Sequence, residues 1–330
     1  MSDHLSLVTG ANGFIGSHLV EALLARGHRV RCLVRKTSDI KWLSGLDTQL
    51  INGSLDDTNS LERACRDCDF VYHLAGAVKA GDPRDFYRHN TDGALNIARA
   101  ALAVSPGLKR FVFSSSQAAA GPADRLDRPV CETDDCRPIS DYGKSKLRAE
   151  QELFALSDKL PLTIIRPSSV YGPRDTEVFV YFQWINRNIA LLPGLRTRYA
   201  HLIYVKDLVA GMLQAAESKK AIGKTYFLAG DRAYSWQEVS GSIAQCLGKS
   251  PVHVHLPLFL ARFSAILSEA GAFVAKKPTQ FNRQKVREMS QRYWTVSSDA
   301  AKRDFGFRCQ YDLARGMAET AQWYRDNKWL

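Results

Sequence analysis

Long apolar runs are missing from this chain of 330 residues. Its most apolar stretch, residues 256–275, is interrupted by Pro257, Arg262 and Glu269, so it falls short of the about 18 uninterrupted apolar residues that a membrane-spanning helix needs. The start lacks the cationic flank and apolar core of a secretory signal, because Asp3 and His4 lead straight into a short β-rich run. A cytoplasmic protein without a transmembrane segment is therefore expected. A disulfide framework is absent as well. The seven cysteines are odd in number and scattered, which suits reduced thiols. The pairs Cys65/Cys68 and Cys131/Cys136 fall at opposite ends of the expected sheet, so a shared tetrahedral zinc is not expected, nor is any other metal. Internal repeats and low-complexity tracts are lacking too. Positive charge is plentiful: 45 Lys and Arg against 34 Asp and Glu, a formal +11. The cations are spread along the chain, although residues 276–303 are locally rich. We read them as a solvated surface that draws in an anionic cofactor, not as a nucleic-acid face.

Residues 5–16 run an apolar segment, Leu5-Ser-Leu-Val-Thr9, into glycines at positions 10, 13 and 16, and residues 17–26 continue as a helix. Gly10 permits a tight turn, Gly13 lets backbone approach a pyrophosphate, and Gly16 lets helix and strand pack closely with the helix N-terminus facing the anion. Short β-rich runs at 5–9, 29–34, 48–52, 69–74, 109–115 and 162–166 alternate with helical stretches. Their unbroken apolar character suits strands buried on both faces, and right-handed crossovers then give an α/β, doubly wound parallel sheet. Beyond Pro173 the alternation weakens. Runs at 202–205 and 225–229 are expected to rejoin the sheet. The dinucleotide-binding domain is thus residues 1–173 and 202–232, and a smaller, discontinuous substrate lobe is residues 174–201 and 233–330.

Where an acidic residue at the end of the second strand would bind the ribose of NAD, this chain has Val34-Arg35-Lys36. Cations there suit a 2′-phosphate. NADP(H) is expected, with NAD(H) the alternative should Arg35 stack on adenine or face water. Asn52-Gly-Ser54-Leu55 ends the third strand and His73-Leu74-Ala75-Gly76 ends the fourth, both at the carboxyl edge where such sheets bind ligands.

Tyr142 and Lys146 stand at i and i+4 on one helix face. A phenol is a poor base at neutral pH, and an adjacent cation is expected to favour phenolate and lower its pKa, so that Tyr142 can act as acid or base. Ser114-Ser115-Ser116 closes the fifth strand, where a hydroxyl can bond a substrate carbonyl or alkoxide.

Together these segments resemble the extended short-chain dehydrogenase/reductase family. The resemblance runs through Thr9 to Gly16, His73 to Gly76, Asn90-Thr-Asp-Gly93, Ser114 to Ser116, Tyr142 to Lys146, Arg166-Pro-Ser-Ser-Val-Tyr-Gly-Pro173 and Leu202-Ile-Tyr-Val-Lys-Asp207. It implies a Rossmann sheet and a catalytic triad of Ser116, Tyr142 and Lys146, with Lys146 also on the nicotinamide ribose. It implies Asn90 near the cofactor and Pro167 to Val170 beside the carboxamide. With the turn residues Asn12, Phe14 and Ile15, these complete the expected cofactor contacts. It also implies a homodimer through helices around 92–104 and 142–157.

The chain departs from sugar-nucleotide members, which usually carry Asn where it has Ser169 and Arg before an aromatic where it has Ala200-His201-Leu202. Arg198 can substitute only if its loop is repositioned. Ser54 also replaces an Asp often found near adenine. The Val-Arg pair and the apolar C-terminal lobe look more like the 3β-hydroxysteroid dehydrogenase and dihydroflavonol reductase-like branch. The function this implies is hydride transfer between a secondary alcohol and a ketone on a largely apolar, steroid-, polyphenol- or lipid-like small molecule. A sugar-nucleotide epimerase or dehydratase is the alternative, and a non-catalytic dinucleotide sensor or scaffold the third reading.

Phe259, Phe263, Ile266, Leu267, Ala270, Phe273 and Val274 recur at helical spacing. Core packing is the preferred reading of this face. Lining a greasy pocket or peripheral membrane contact are the alternatives, the last kept open by Lys276 and Lys277. His253 and His255 are expected to face solvent, and Glu132 and Asp134 to serve a loop or a cap. Tyr171 and Gln117 stand as substrate contacts or as packing residues.

Overall fold

The computed structural model describes residues 4–275 and 283–330, with backbone alone at 261 and 270–275. Strands β1 (Leu5–Thr9), β2 (Arg29–Val34), β3 (Thr48–Asn52), β4 (Phe70–His73), β5 (Arg110–Ser114) and β6 (Leu162–Pro167) fall within one residue of the expected runs. They are followed by β7 (Ser169–Tyr171), β8 (Ile189–Pro193), β9 (Tyr199–Tyr204), β10 (Lys224–Leu228), β11 (Ala233–Ser235), β12 (Val252–Leu256) and β13 (Tyr293–Trp294). The helices of the first half are α1 (Phe14–Ala25), α2 (Thr58–Cys65), α3 (Pro83–Tyr87), α4 (Gly93–Val104), α5 (Gln117–Ala120) and α6 (Asp141–Phe154). Those of the second half are α7 (Phe179–Asn186), α8 (Val205–Glu217), α9 (Trp236–Leu247), α10 (Leu258–Ala275), α11 (Arg283–Ser290), α12 (Asp299–Phe305) and α13 (Leu313–Asp326).

Seven strands form one parallel sheet in the order β10-β6-β5-β4-β1-β2-β3. The chain moves outward from β1 to β3 and then returns to lay β4 on the other side of β1. Their diverging carboxyl ends open the crevice in which such sheets bind ligands. Both faces of the sheet are covered, which explains why β1, β4 and β5 are largely apolar and buried at every position. Leu19, Val20 and Leu23 of α1 pack with Leu208 and Met212 of α8 on one face. Leu61, Ile97, Ala98 and Leu153 of α2, α4 and α6 pack on the other. The edge strand β10 is closed by Glu132, whose carboxylate accepts the Phe227 amide at 2.8 Å. Half-buried, Glu132 thus anchors its loop to β10 rather than standing in solvent. Asp134 accepts the Cys131 amide at 3.0 Å, a loop contact as expected.

Two expectations are corrected. Residues 202–205 do not rejoin the large sheet: β9 pairs with β7, β11 and β13 in a separate four-stranded sheet. An apolar run identifies a strand but not its partner, and the place beside β6 is taken by β10. The face bearing Phe259, Phe263, Ile266 and Leu267 does not pack into a core; all four side chains are exposed. On α10 it is the small Ala265 that turns inward, against Val286 of α11 and Leu256. The side chains of Ala270, Phe273 and Val274, and residues Lys276 and Lys277, lie outside the described residues. His253 and His255 are exposed on β12 as expected, with His255 Nδ1 2.9 Å from the Gly194 carbonyl. Tyr171 is a packing residue, buried with Tyr204 and Met317 in the core of the smaller sheet.

Candidate active site

Gly10 takes a left-handed conformation, φ +69°, and a Cβ there would meet the Ala75 nitrogen at 2.8 Å. A Cβ on Gly16 would fall on the Gly10 carbonyl. The turn is thus pressed between β4's exit, Leu74 and Ala75, and the start of α1. Gly13 is the N-cap of α1 and carries no side chain to satisfy the first-turn amides of Phe14, Ile15 and Gly16, which suits an anion. Asn12 ties the turn to the next loop through its amide and the Asp39 carbonyl, 3.1 Å apart.

At the end of β2 and β3 lies a cleft of about 400 Å³ lined by Arg35, Lys36, Asn52, Gly53, Ser54, Asp57 and Arg63. Three cations face one carboxylate there, and that carboxylate is engaged by the Ser60 amide. Leu55 lies apart, packed on Gly93. This glycine cradle, its bare helix amides and the basic cleft at the adenosine end fit a dinucleotide.

The three serines at the end of β5 do three different things. The Ser114 carbonyl accepts Lys146 Nζ at 2.8 Å. The Ser115 hydroxyl donates to the Glu150 carboxylate. Ser116 caps the one-turn helix α5, its Oγ accepting the Ala118 amide at 3.1 Å, and its hydroxyl lies close enough to the Tyr142 oxygen to oppose the rise of the phenol's pKa. Helix α6, capped by Ser140, carries Tyr142, Lys146 and Glu150 on successive turns of one face. Gly143 lets it approach α5, since a Cβ there would strike the Ala118 carbonyl. The Tyr142 ring rests edge-on against Phe86, centroids 6.2 Å apart.

The expectation that a cation would lower the Tyr142 pKa is corrected. Burial pushes the phenol up to about 12, the Ser116 hydroxyl pulls against it, and Glu288 and Glu177 add to the rise. The Lys146 ammonium lies instead on the Ser114 carbonyl and 4.8 Å from the Phe113 ring centroid, so Tyr142 is a neutral phenol at physiological pH. Burial also pushes Lys146 down to about 8, with Glu150 opposing. His73, held at Nδ1 by the Thr9 hydroxyl at 2.7 Å, is driven by burial to about 3 and stays neutral.

Asn90 lies in a single π-helical turn, Arg88–Asp92. Its amide nitrogen donates to the Ala77 carbonyl and Ser145 Oγ, and its oxygen accepts the Ala77 amide at 2.7 Å. A Cβ on Gly76 would meet Asn90 Oδ1 at 2.7 Å and Lys146 Nζ at 3.4 Å, so these three residues form one cluster. Pro167 closes β6, and Val170 sits in β7 packed on the main core. Gln117 is buried beside Ser116 with its side-chain oxygen lacking a partner among the described residues.

Sequence reasoning missed Glu150 and gave Arg166 no role beyond its place in a strand and a motif. The Arg166 guanidinium grips Glu150 through Nε at 2.9 Å and Nη2 at 2.5 Å, both side chains nearly inaccessible to solvent. The signal available was a charged residue at i+4 from Lys146 and another near the end of a largely apolar strand.

A family model for the NAD-dependent epimerase/dehydratase family matches residues 6–229. The chain belongs to that family, within the extended short-chain dehydrogenase/reductase class, and is an NAD(P)-dependent enzyme of that type. A ceramide reductase of Caulobacter vibrioides is 31% identical over 324 residues, covering 98% of this chain and 95% of that one. The crystal structure of gox2253 superposes with a TM-score of 0.81 at 30% identity, covering 98% of this chain and 99% of that one. UDP-glucose 4-epimerase of Thermotoga maritima, solved with UDP-glucose, gives a TM-score of 0.80 at 23% identity, with 98% and 99% covered, and shares the fold.

Proposed function

We propose that the protein is an NADP(H)-dependent reductase that converts a ketone on a largely apolar, lipid-like substrate into a secondary alcohol. The observation that carries the reading is the neutral Tyr142 phenol beside the Ser116 hydroxyl, with Lys146 one helical turn behind. A phenol that holds its proton at neutral pH is prepared to donate it. Ser116 orients the substrate carbonyl oxygen, Tyr142 gives it a proton, and Lys146 steadies the phenolate that results. The nicotinamide, when bound, supplies the hydride. The glycine turn and α1 amides hold the pyrophosphate, with Asn12, Phe14, Ile15, Leu74 and Ala75 around it. Arg35, Lys36 and Ser54, with Leu55 behind, hold the adenosine end. Gly76, Asn90, Lys146, Pro167 and Val170 hold the nicotinamide end.

The sugar-nucleotide reading is disfavoured by where Arg198 and His201 point. Arg198 is buried in its own loop, donating to the Pro193 and Arg196 carbonyls. His201 is buried, accepts the Val296 amide at 3.1 Å and is driven by burial to about 4. Neither is presented to a diphosphate. The ceramide reductase relative supports a lipid-like substrate, taken up by residues 174–201 and 233–330 as the substrate lobe. Half-buried Leu95, Leu102, Leu147 and Phe154 on α4 and α6 support a homodimer through these helices.

The test is turnover of NADPH and NADH against a panel of apolar ketones, with calorimetry of UDP-glucose alongside. NADPH is expected to be preferred, and Arg35→Ser with Lys36→Ser is expected to cut that preference by about 10–100-fold, the worth of one charge-assisted contact. Cofactor consumption on no ketone together with micromolar UDP-glucose binding would overturn the reading.

A pH dependence follows from Lys146. Its ammonium is charged below about 8 and neutral above, so the phenolate formed on proton donation loses its stabilising charge as pH rises. The kcat of reduction is expected to fall through an alkaline limb near pH 8. Lys146→Arg, charged throughout, should abolish that limb at a lower absolute rate; an unchanged limb in the kcat–pH profile contradicts the assignment.

A further inference from the structure

The large apolar side chains of α10 face outward. Phe259 is 68% exposed, Leu260 42%, Phe263 59%, Ile266 50% and Leu267 58%. At 100° per residue these positions share one side of the helix, while Ala265, fully buried, packs on the opposite side against Val286 of α11. This inverts the pattern of a helix that belongs to a core, where the bulky stripe turns in. A contiguous apolar face of this kind marks an interaction surface.

Charge identifies the occupant. Residues 252–292 carry seven Lys and Arg against two Asp and Glu. One of the two acids, Glu269, is paired with Arg283 at 2.7 Å. Bulky apolar residues on one face of a helix, set in a cationic segment, are the composition of a helix that lies in the interface of an anionic bilayer. No helix among the described residues is long and apolar enough to cross a membrane, so the surface is met side-on.

The position of this helix ties it to the site. The α11 residue Gln284 exchanges two hydrogen bonds with Asp141, the neighbour of Tyr142: the Asp141 amide to Gln284 Oε1 at 2.7 Å, and Gln284 Nε2 to Asp141 Oδ2 at 2.6 Å. Lys285 of α11 and Lys79 of the loop after β4 flank Glu177 at 3.6 and 3.3 Å. Helix α11 therefore sits against the start of α6 beside Tyr142, and α10 packs on α11 through Ala265 and Val286. We propose that α10 docks the enzyme on an anionic lipid surface through Phe259, Leu260, Phe263, Ile266 and Leu267, bringing α11 and the site beside it to the bilayer.

The experiment is flotation of the full-length protein with phosphatidylcholine vesicles and with vesicles of phosphatidylcholine and phosphatidylglycerol. It needs neither substrate nor cofactor, so it stands or fails separately from the reductase reading. The protein is expected to float with the mixed vesicles, less so as salt rises, and to remain below with phosphatidylcholine alone. Phe263→Glu with Leu267→Glu is expected to lower the bound fraction at least about tenfold, and Phe263→Ser with Leu267→Ser to lower it in the same direction. Both exposed pairs should leave the melting temperature unchanged. Wild-type protein that stays below with both compositions overturns the proposal. So does a double variant that floats like wild type, or a wild-type dimer in sedimentation that these substitutions dissociate, since a second copy would then cover the face.

Discussion

Replacing Tyr142 with Phe is expected to lower kcat by about 10²-fold or more, the usual contribution of a positioned acid, and to leave cofactor affinity nearly unchanged. The phenol oxygen is the only atom removed. The ring keeps its edge-on contact with Phe86, and helix α6 keeps its Ser140 cap and its approach to α5. Ser116 keeps the Ala118 amide but loses the phenol oxygen beside it, so the substrate oxygen retains an orienting hydroxyl with no proton donor behind it. Steady-state kinetics and cofactor titration read the two effects separately. Retention of more than about a tenth of wild-type kcat would remove Tyr142 from the proton-transfer role.

Arg166→Met is expected to cost about 3–5 kcal/mol of stability, because it leaves the Glu150 carboxylate buried without its cation. Glu150 would retain only the Ser115 hydroxyl, and the Arg166 contact with the Cys136 sulfur at 3.1 Å would be lost too. In a chain of this size the melting temperature should drop on the order of 5–10 °C. Adding Glu150→Leu should recover much of the loss, since removing both charges leaves neither one stranded. A melting temperature within about 1 °C of wild type for the single variant would mean that the pair does not hold α6 to the sheet. The pair matters to the site because Glu150 also opposes the burial that pushes Lys146 down.

What could be read from the sequence was whatever depends on close spacing. The glycine turn, the Tyr142–Lys146 pair and the serines closing β5 are each set within a few residues, and apolar runs buried on both faces declare their strands without reference to partners. What escaped depends on chain brought together from afar. Arg166 and Glu150 are sixteen residues apart and meet only because β6 lies beneath α6. The run at 202–205 is as apolar as its neighbours but belongs to another sheet. Periodicity marked an apolar face on α10 and could not say which way it turns, since that depends on Ala265 finding Val286. The i, i+4 spacing placed Lys146 near Tyr142, yet the ammonium is taken by the Ser114 carbonyl and burial dominates the phenol.

The most direct test of the central claim, that Ser116, Tyr142 and Lys146 carry out net ketone reduction, is mass spectrometry of the product formed from an apolar ketone and NADPH deuterated at both C4 positions. The expected result is an alcohol bearing deuterium on its carbinol carbon, formed in step with NADP+ and lost in Tyr142→Phe. Epimerisation of a UDP-sugar with no net cofactor oxidation, and no deuterated alcohol from any ketone, would contradict it.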